Sequence, residues 1–280
     1  MGNFKVDDLV VRELKVALKE YDRINRVIVA NMNQSQAINP EKDLNLDKSH
    51  QSLISYKNSK AREISKILTY WPVWTEYLVK VPGVGPYVGG NLIILYYYKF
   101  IPVCKHCGGD LIINSGAEDN YSCSKCGKKA SGAGILNHRI QERDFPKVSQ
   151  WWSFMGRAPV SEDGKLPKRK KGVQSKWSPT GRLISWEFTE QVNRHKETDP
   201  YKAFLLSEKA KLEAKRPELT KGHRHNMAKN KTAKLFLSHF WKVARMIDQK
   251  PITEPYSMSH LGHVGVIDPF YWDEEEVNAA

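Results

Sequence analysis

Apolar side chains near the start of the chain recur alternately every four and three positions. This spacing predicts an amphipathic helix whose apolar seam is typical of a coiled coil. The polar, asparagine-rich stretch 32–50 that follows predicts a loop. A second helix is expected over Leu53–Tyr70, because Pro72 cannot continue it. The two helices pair either as an antiparallel hairpin or as a dimer through the seam. The seam consists of Val10, Leu14, Ala17, Tyr21, Ile24 and Ile28.

A Pro-Gly-Val-Gly-Pro turn with apolar residues on both sides comes next. It predicts a helix, a tight turn at Val81–Gly85 and a second helix from Pro86, which is a helix-hairpin-helix pattern. The glycines allow positive φ and close backbone approach, so turn amides can hold a phosphate without reading bases. A plain helical hairpin is the alternative. The predicted DNA-binding residues are Gly83, Val84 and Gly85, and valine at either glycine is expected to weaken DNA binding without unfolding the chain.

Further helices are predicted in the second half of the chain. A short helix lies within the aromatic segment Asp144–Pro159 and ends near Gly156. Longer helices are expected at Leu183–Arg194, Tyr201–Lys215 and His225–Asp248. The last of them places apolar residues on one side at helical spacing, which indicates that it packs in the core.

The four cysteines form two Cys-x-x-Cys pairs with fifteen residues between them. Gly108 and Gly127 follow the pairs and provide the turns that let the thiolates converge. Short strands are expected at Asp110–Asn114 and Glu118–Ser122. The pattern predicts a zinc ribbon in which four thiolates surround a structural Zn²⁺ and leave no position for water, with disulfides as the alternative. The predicted ligands are Cys104, Cys107, Cys123 and Cys126.

Positive charge is concentrated in the second half of the chain. The chain has 44 Lys and Arg against 31 Asp and Glu, a net charge of +13. Residues 127–250 hold 28 basic and 12 acidic side chains, an excess of 16, whereas residues 251–280 hold six acids and no Lys or Arg. Such a field favours a nucleic-acid partner over a merely solvated surface. The basic residues predicted to bind DNA are Lys165, Lys168, Arg169, Lys170, Lys171, Lys176 and Arg182.

Targeting signals do not change this picture. Apolar runs are too short to span a membrane, and the N-terminus lacks the pattern of a signal peptide. The sequence therefore predicts a cytoplasmic, DNA-associated protein with no membrane partner.

Several motifs occur in a characteristic order. They are the turn Val81–Pro86, the segment Phe145–Pro159, the turn Trp177–Gly181 and a closing helix over 228–247, followed by a proline and a tyrosine. In this order the chain resembles the C-terminal domain of insertion-sequence transposases of the one-hundred-ten family, the bridge-RNA-guided DEDD transposases, whose C-terminal domain is shared with pilin-inversion recombinases. The resemblance extends over residues 10–256.

The resemblance implies DNA transposition or site-specific recombination on double-stranded DNA. It also implies a homo-oligomer and allows for a guide RNA or an RNase-H-like partner protein, since the family's acidic metal-binding domain has no counterpart in this sequence. The family places a nucleophilic serine after a Gly-x-x-Pro segment. Ser161 is the nearest match, with Ser175 and Ser178 as rivals, although Glu162 stands where the family usually has glycine.

The expected fold is mainly α, with a helical hairpin or coiled coil at the N-terminus and a helix-hairpin-helix core that carries an inserted small β zinc ribbon. The predicted segments are a coiled-coil segment with its connector (1–72), the helix-hairpin-helix (73–100), the zinc-ribbon insertion (101–130), a helical transposase-type domain (131–256) and an acidic tail (257–280).

Three functions remain open at this stage. The first is a transposase or recombinase that cuts DNA by serine attack on phosphorus, which needs a general base or a metal ion. The second is a catalytically inactive, domesticated protein that binds the DNA backbone through the turn, the ribbon and the basic loop Gly164–Gly172. The third is an RNA-binding protein that stacks single strands on aromatic rings. The aromatic candidates are Trp151, Trp152, Trp177 and Trp186.

Overall fold

The structure is a computed structural model that describes residues 6–38, 48–113, 120–131, 136–159, 165–169, 173, 175–253 and 267–272. Over these residues the chain is mainly helical with a small β part, which confirms the expected fold class at this level. The helices are α1 (Asp8–Ile38), α2 (Lys48–Leu68), α3 (Pro86–Tyr97), α4 (Val148–Phe154), α5 (Pro179–Arg194), α6 (Pro200–Lys215) and α7 (Lys221–Ile247). The strands are β1 (Tyr98–Cys104), β2 (Leu111–Ile113), β3 (Asn120–Cys123), β4 (Lys129–Ser131) and β5 (Leu136–Glu142).

The chain divides into two compact units. Residues 1–92 and 145–280 form the first, which we call the helical unit, and residues 93–144 form the second, which we call the ribbon unit. The ribbon unit is wider on both sides than the predicted insertion 101–130. No helix among the described residues is long and apolar enough to cross a membrane.

Helices α1 and α2 form an antiparallel hairpin within one chain. Lys60 Nζ lies 2.7 Å from Glu20 Oε2. Lys57 Nζ donates to Asn25 Oδ1 at 3.3 Å, so later residues of α1 meet earlier residues of α2. The seam residue Leu14 is fully buried in this arrangement. The chain itself buries Leu14, Ala17 and Ile28 of the seam and leaves the other three seam residues half-buried. The two helices thus form the predicted hairpin, and a dimer through the seam stays a prediction.

Both N-terminal helices are longer than the polarity of the sequence predicts. Helix α1 continues to Ile38, seven residues into the stretch 32–50, and α2 begins at Lys48. The residues that extend α1 contain no glycine or proline, and Met, Gln and Ala are good helix formers. Polar side chains do not end a helix by themselves. The loop prediction is therefore wrong for residues 32–38 and 48–50.

Helices α5, α6 and α7 enclose an aromatic core. Phe188 of α5 and Phe236 of α7 stack with ring centroids 3.8 Å apart, and Tyr201 of α6 meets Phe188 edge-on at 5.3 Å. All three side chains are fully buried. Trp241 of α7 donates its indole N–H to the carbonyl oxygen of Phe145 at 2.7 Å. Burial of large apolar side chains, at about 1.5–3 kcal/mol each, therefore stabilises this part of the helical unit.

Residues 267–272 pack on this core. The rings of Phe270 and Trp272 each lie 5.8 Å from the ring of Tyr77. Aromatic rings at such distances add an edge or offset attraction to the area that they bury. The ring of Tyr271 lies 5.9 Å from that of Tyr201. Three aromatic side chains thus hold this segment in place, whereas the rest of the predicted tail 257–280 lies outside the described residues.

A buried chain of hydrogen-bonding groups lies beneath that segment. Tyr77 Oη is 3.3 Å from Tyr201 Oη, which is 2.7 Å from Nδ1 of His239. His239 is 3% exposed, and its burial lowers its pKa to about 4. The imidazole is therefore neutral near pH 7, because burial disfavours the charged form.

The segment before α3 differs from the predicted helix. Val73–Tyr77 form a π-helical turn and Leu78–Lys80 form a 3₁₀ turn. The tight turn Val81–Gly85 follows, and α3 begins at Pro86 as predicted. A helix-hairpin-helix has regular helices on both sides of its turn, so the structure supports the second helix of the predicted motif and not the first.

Two antiparallel sheets form the ribbon unit. Strand β1 pairs with β5, from Tyr98 opposite Glu142 to Cys104 opposite Leu136. Strands β2, β3 and β4 form a three-stranded sheet in that order. Strands β2 and β3 fall within or beside the two predicted strands, whereas β1, β4 and β5 were not predicted from the sequence. Pro102 interrupts the strand signal of β1, because proline in a run of apolar residues argues against a strand.

Candidate metal centre and candidate nucleic-acid interface

The two Cys-x-x-Cys pairs converge in the ribbon unit. One sulfur atom from each of the four cysteines lies within 4.8 Å of all the others, an arrangement that could hold a metal ion. The Sγ atoms are 3.8 Å apart for Cys104 and Cys126 and 3.4 Å apart for Cys107 and Cys123. A disulfide needs about 2.05 Å, so the disulfide alternative is wrong. Four sulfurs at about 2.3 Å from one ion would be about 3.8 Å apart.

The two pairs are built alike. The amide of Gly108 donates to the Cys104 carbonyl at 2.8 Å, and the amide of Gly127 donates to the Cys123 carbonyl at 3.1 Å. Both glycines have positive φ, 70° and 66°. Residues that carry a side chain rarely adopt this backbone conformation, so glycine lets each turn close and brings its two thiols together.

Backbone amides also stabilise the thiolate form of these cysteines. The amides of Cys126 and Lys125 each donate to Cys123 Sγ at 3.4 Å. They lower the pKa of this thiol to about 6, and the Cys126 amide has the larger effect. The amide of His106 lowers the pKa of Cys104 in the same way. The Gly109 amide lowers the pKa of Cys107, but the Cys123 thiol, burial and the other thiols outweigh it and raise this pKa to about 12. Two of the four thiols are therefore stabilised in the thiolate form, which is the form that binds a metal.

The predicted DNA-binding turn packs against the C-terminal end of α5. Gly83 has a φ of 81°, and a Cβ on it would lie 3.0 Å from Gln191 Cβ and 3.1 Å from His195 Cε1. Gly85 does not share the positive φ, and a Cβ there would meet nothing within 4 Å. Valine at Gly83 is therefore expected to cost stability, whereas the structure shows no steric reason for such a cost at Gly85. Val84 is buried, and its amide donates to the Val81 carbonyl at 3.1 Å.

The residues around this turn carry charges of both signs. Lys80 precedes the turn and is exposed, and Arg194 and Lys196 are exposed on either side of His195, which the turn contacts. His195 Nδ1 lies 3.3 Å from a carboxylate oxygen of Asp199. Helix α3 begins here, so its first amides have no acceptor within the helix. These three cations were not predicted from the sequence, because the packing of the turn on α5 joins segments that are distant along the chain.

The basic loop is attached to the opposite end of α5. Arg182 donates to the carbonyl oxygen of Pro167 and lies 5.1 Å from the centre of the Trp177 ring. Arg182, predicted to bind DNA, thus also fixes the loop. The exposed basic side chains here are Lys165, Lys168, Arg169 and Lys176. The other predicted loop cations, Lys170 and Lys171, lie outside the described residues.

The serine candidates have different positions. Ser161 lies outside the described residues, and Ser175 is half-buried in the loop that leads to α5. Ser178 caps α5, because its hydroxyl accepts the amide of Gly181 at 3.0 Å. A capping role is the usual one for serine at this position. Ser178 therefore has a structural explanation.

The four tryptophans proposed for base stacking separate into two groups. Trp151 is fully buried in the core, which removes it from any stacking surface. Trp152 and Trp177 are half-buried, and Trp186 is 46% exposed.

Comparison with known proteins gives no match: no family model, no curated protein and no solved structure is significantly similar to this chain. The resemblance to one-hundred-ten family transposases therefore stays a prediction based on the order of motifs.

Proposed function

We propose that this protein binds the backbone of double-stranded DNA and acts in DNA transposition or site-specific recombination. The observation that carries the DNA-binding part is the charge excess of 16 over residues 127–250, together with exposed cations at both ends of α5. Phosphate contacts supply most of the affinity of proteins that bind DNA without regard to sequence. The transposition part is supported by the order of motifs in the sequence.

The two ends of α5 define two points of contact with DNA. Arg182 holds the basic loop at one end, and Gln191 and His195 support the turn Val81–Gly85 at the other. With a rise of about 1.5 Å per residue, these points are about 14–20 Å apart along the helix. Double-stranded DNA carries about one phosphate charge per 1.7 Å of its axis, so one duplex that lies along α5 offers phosphates to both ends.

The four thiols of the ribbon unit would bind Zn²⁺ in this proposal. Sulfur donors suit zinc, and four of them complete its tetrahedral coordination. Such an ion holds the two knuckle turns together and offers no open position to a substrate. Its role is therefore structural.

A matched pair of charge variants tests the DNA-binding proposal. Replacement of Lys168 and Arg169 by serine removes two exposed cations from the loop. Replacement of Lys215 and Arg216 by serine removes the same charge from the exposed C-terminal end of α6. Affinity for a labelled duplex, measured by fluorescence anisotropy, should fall at least severalfold in the loop variant and little in the control. Equal losses in both would show a diffuse field rather than a site.

Cleavage assays separate a transposase from a DNA-binding protein. Strand transfer needs a nucleophile aligned with phosphorus and charge stabilisation on its oxygens. We expect the purified chain alone neither to cut nor to join DNA. If an RNase-H-like partner is required, its addition should produce activity that Ser161→Ala abolishes. A covalent protein–DNA adduct formed by the chain alone with Mg²⁺ would overturn this expectation.

A further inference from the structure

The N-terminal half of α5 presents large apolar side chains to solvent. Trp186 is 46% exposed, and Leu183, almost one turn before it, is 44% exposed. Trp177 lies just before the helix and is half-buried. Leu183 and Trp186 share one face of the helix, and grouped exposed apolar side chains mark a binding surface more often than isolated ones do. We call Trp177, Leu183 and Trp186 the tryptophan surface.

Each ring of this surface has a cation beside it. Arg182 lies 5.1 Å from the centre of the Trp177 ring, and Lys229 Nζ lies 5.4 Å from that of Trp186. Lys229 is itself buried at 6% exposure and forms an ion pair with Glu190. Cations at this distance from an aromatic face are held by its quadrupole. The rings are therefore held in a defined setting rather than free to turn.

A buried arginine fixes the helices under the surface. Arg157 is 6% exposed and donates to Ser185 Oγ at 2.8 Å, to the Arg182 carbonyl at 3.0 Å and to Asn230 Oδ1 at 3.4 Å. Because these acceptors belong to α5 and α7, Arg157 sets the position of Arg182 and of the rings. A surface fixed in this way loses little conformational entropy when it binds a ligand.

We infer that the tryptophan surface binds unpaired nucleotides of single-stranded DNA. Bases stack on the Trp177 and Trp186 rings, and the backbone contacts the basic loop, which Arg182 holds beside Trp177 through Pro167. Aromatic rings beside a basic track are the features that bind single strands without regard to sequence.

The charge of the surroundings selects this ligand over an apolar protein partner. The loop beside the surface carries the exposed cations Lys165, Lys168 and Arg169, and residues 127–250 have an excess of 16 positive charges. The inference goes beyond the proposed function. Binding of a duplex backbone needs no exposed aromatic ring, and the tryptophan surface does not depend on the turn Val81–Gly85.

Replacement of the most exposed ring tests the inference. Affinity for a labelled oligo(dT) strand should fall about five- to hundredfold in Trp186→Ala, because stacking contributes about that much per base. Trp186→Phe keeps a ring and should retain most of the affinity. Tyr70, just after α2, is an aromatic residue that is 56% exposed. Tyr70→Ala serves as the control and should leave the affinity unchanged. Melting temperature and far-UV circular dichroism establish that each variant is folded.

The duplex titration distinguishes this inference from the proposed function. We expect Trp186→Ala to bind duplex DNA within about twofold of the wild type, and oligo(dT) to quench tryptophan fluorescence of the wild-type chain. Unchanged oligo(dT) affinity in a folded Trp186→Ala, or an equal loss for duplex and single strand, would overturn the inference. Binding of oligo(U) without oligo(dT) would also overturn it and assign the surface to RNA. A wild-type chain that binds oligo(dT) but does not bind duplex DNA would instead overturn the proposed function.

Discussion

The two units of this chain are stabilised in different ways. The helical unit buries large aromatic side chains, among them Phe188, Phe236 and Trp241. Among the described residues of the ribbon unit, by contrast, the buried side chains are fewer: Ile93, Ile94 and Tyr96 at its start, then Val103, Cys104 and Cys123. Apolar burial stabilises the first unit, whereas a segment with a smaller core gains stability when four converging thiols bind a metal. The comparison teaches that an apolar core and a cysteine cluster that could hold a metal can occur in one short chain.

Removal of the metal is expected to have the largest effect, and only on the ribbon unit. Four thiolates bind zinc in small domains with apparent energies of about 10–16 kcal/mol. The Cys123→Ser variant should lose the metal. The amides of strands β1 to β5 should then lose their protection against hydrogen exchange, while those of the helical unit keep theirs. Lys105→Ser changes an exposed residue of the first knuckle and serves as the control. Metal analysis and hydrogen exchange measure both effects; a chain that lacks zinc, or a ribbon that keeps its protection in Cys123→Ser, contradicts the account.

Truncation of a core ring should destabilise the helical unit and leave the metal bound. Phe236→Ala is expected to cost about 3–5 kcal/mol in the free energy of unfolding. Met246→Ala on the same helix is the control, since Met246 is 47% exposed and its loss should cost about 0.5 kcal/mol or less. Urea unfolding gives both values and metal analysis gives the zinc content. Similar costs for the two variants would show that Phe236 is not part of a packed core.

The sequence predicts the ribbon's ligands better than its strands. Cysteine spacing is local chemistry, so the metal cluster can be read directly from Cys104 to Cys126. The pairing of β1 with β5 is not local, because Pro102 weakens the strand signal and the partner residue His138 is far along the chain. The support of Gly83 by α5 is equally distant in sequence. Short-range patterns therefore predict ligands and helices, whereas contacts between distant segments require the structure.

Acid should weaken the helical unit through His239. Burial lowers the pKa of this residue in the folded chain to about 4, below the value of about 6.5 expected when unfolded. As the pH decreases, His239 is protonated in the unfolded chain before it is protonated in the folded chain. The free energy of unfolding therefore falls between about pH 6.5 and pH 4, by at most about 3 kcal/mol. His239→Gln should flatten this dependence in urea unfolding, whereas His223→Gln, at an exposed position of the same helix, should not. An unchanged pH profile in His239→Gln contradicts the assignment.

The two glycines of the turn should separate stability from DNA binding. Gly83→Val places a side chain at positive φ against Gln191 and His195, and we expect a loss of about 1–3 kcal/mol of stability together with weaker DNA binding. Gly85→Val meets no neighbouring atom within 4 Å. It should keep the melting temperature and still weaken binding, because its side chain stands where a phosphate approaches the turn. Unchanged duplex affinity in Gly85→Val would show that the turn is only structural.

The salt dependence of duplex affinity tests the central claim, DNA-backbone binding by the helical unit, most directly. Affinity for duplexes of unrelated sequence is measured by fluorescence anisotropy between about 50 and 200 mM salt. If about six phosphates are neutralised, the logarithm of the association constant should fall with a slope of about −5 against the logarithm of salt, about a thousandfold over this range, and equally for every sequence. An affinity that does not change with salt, or no binding at about 50 mM, would contradict the account.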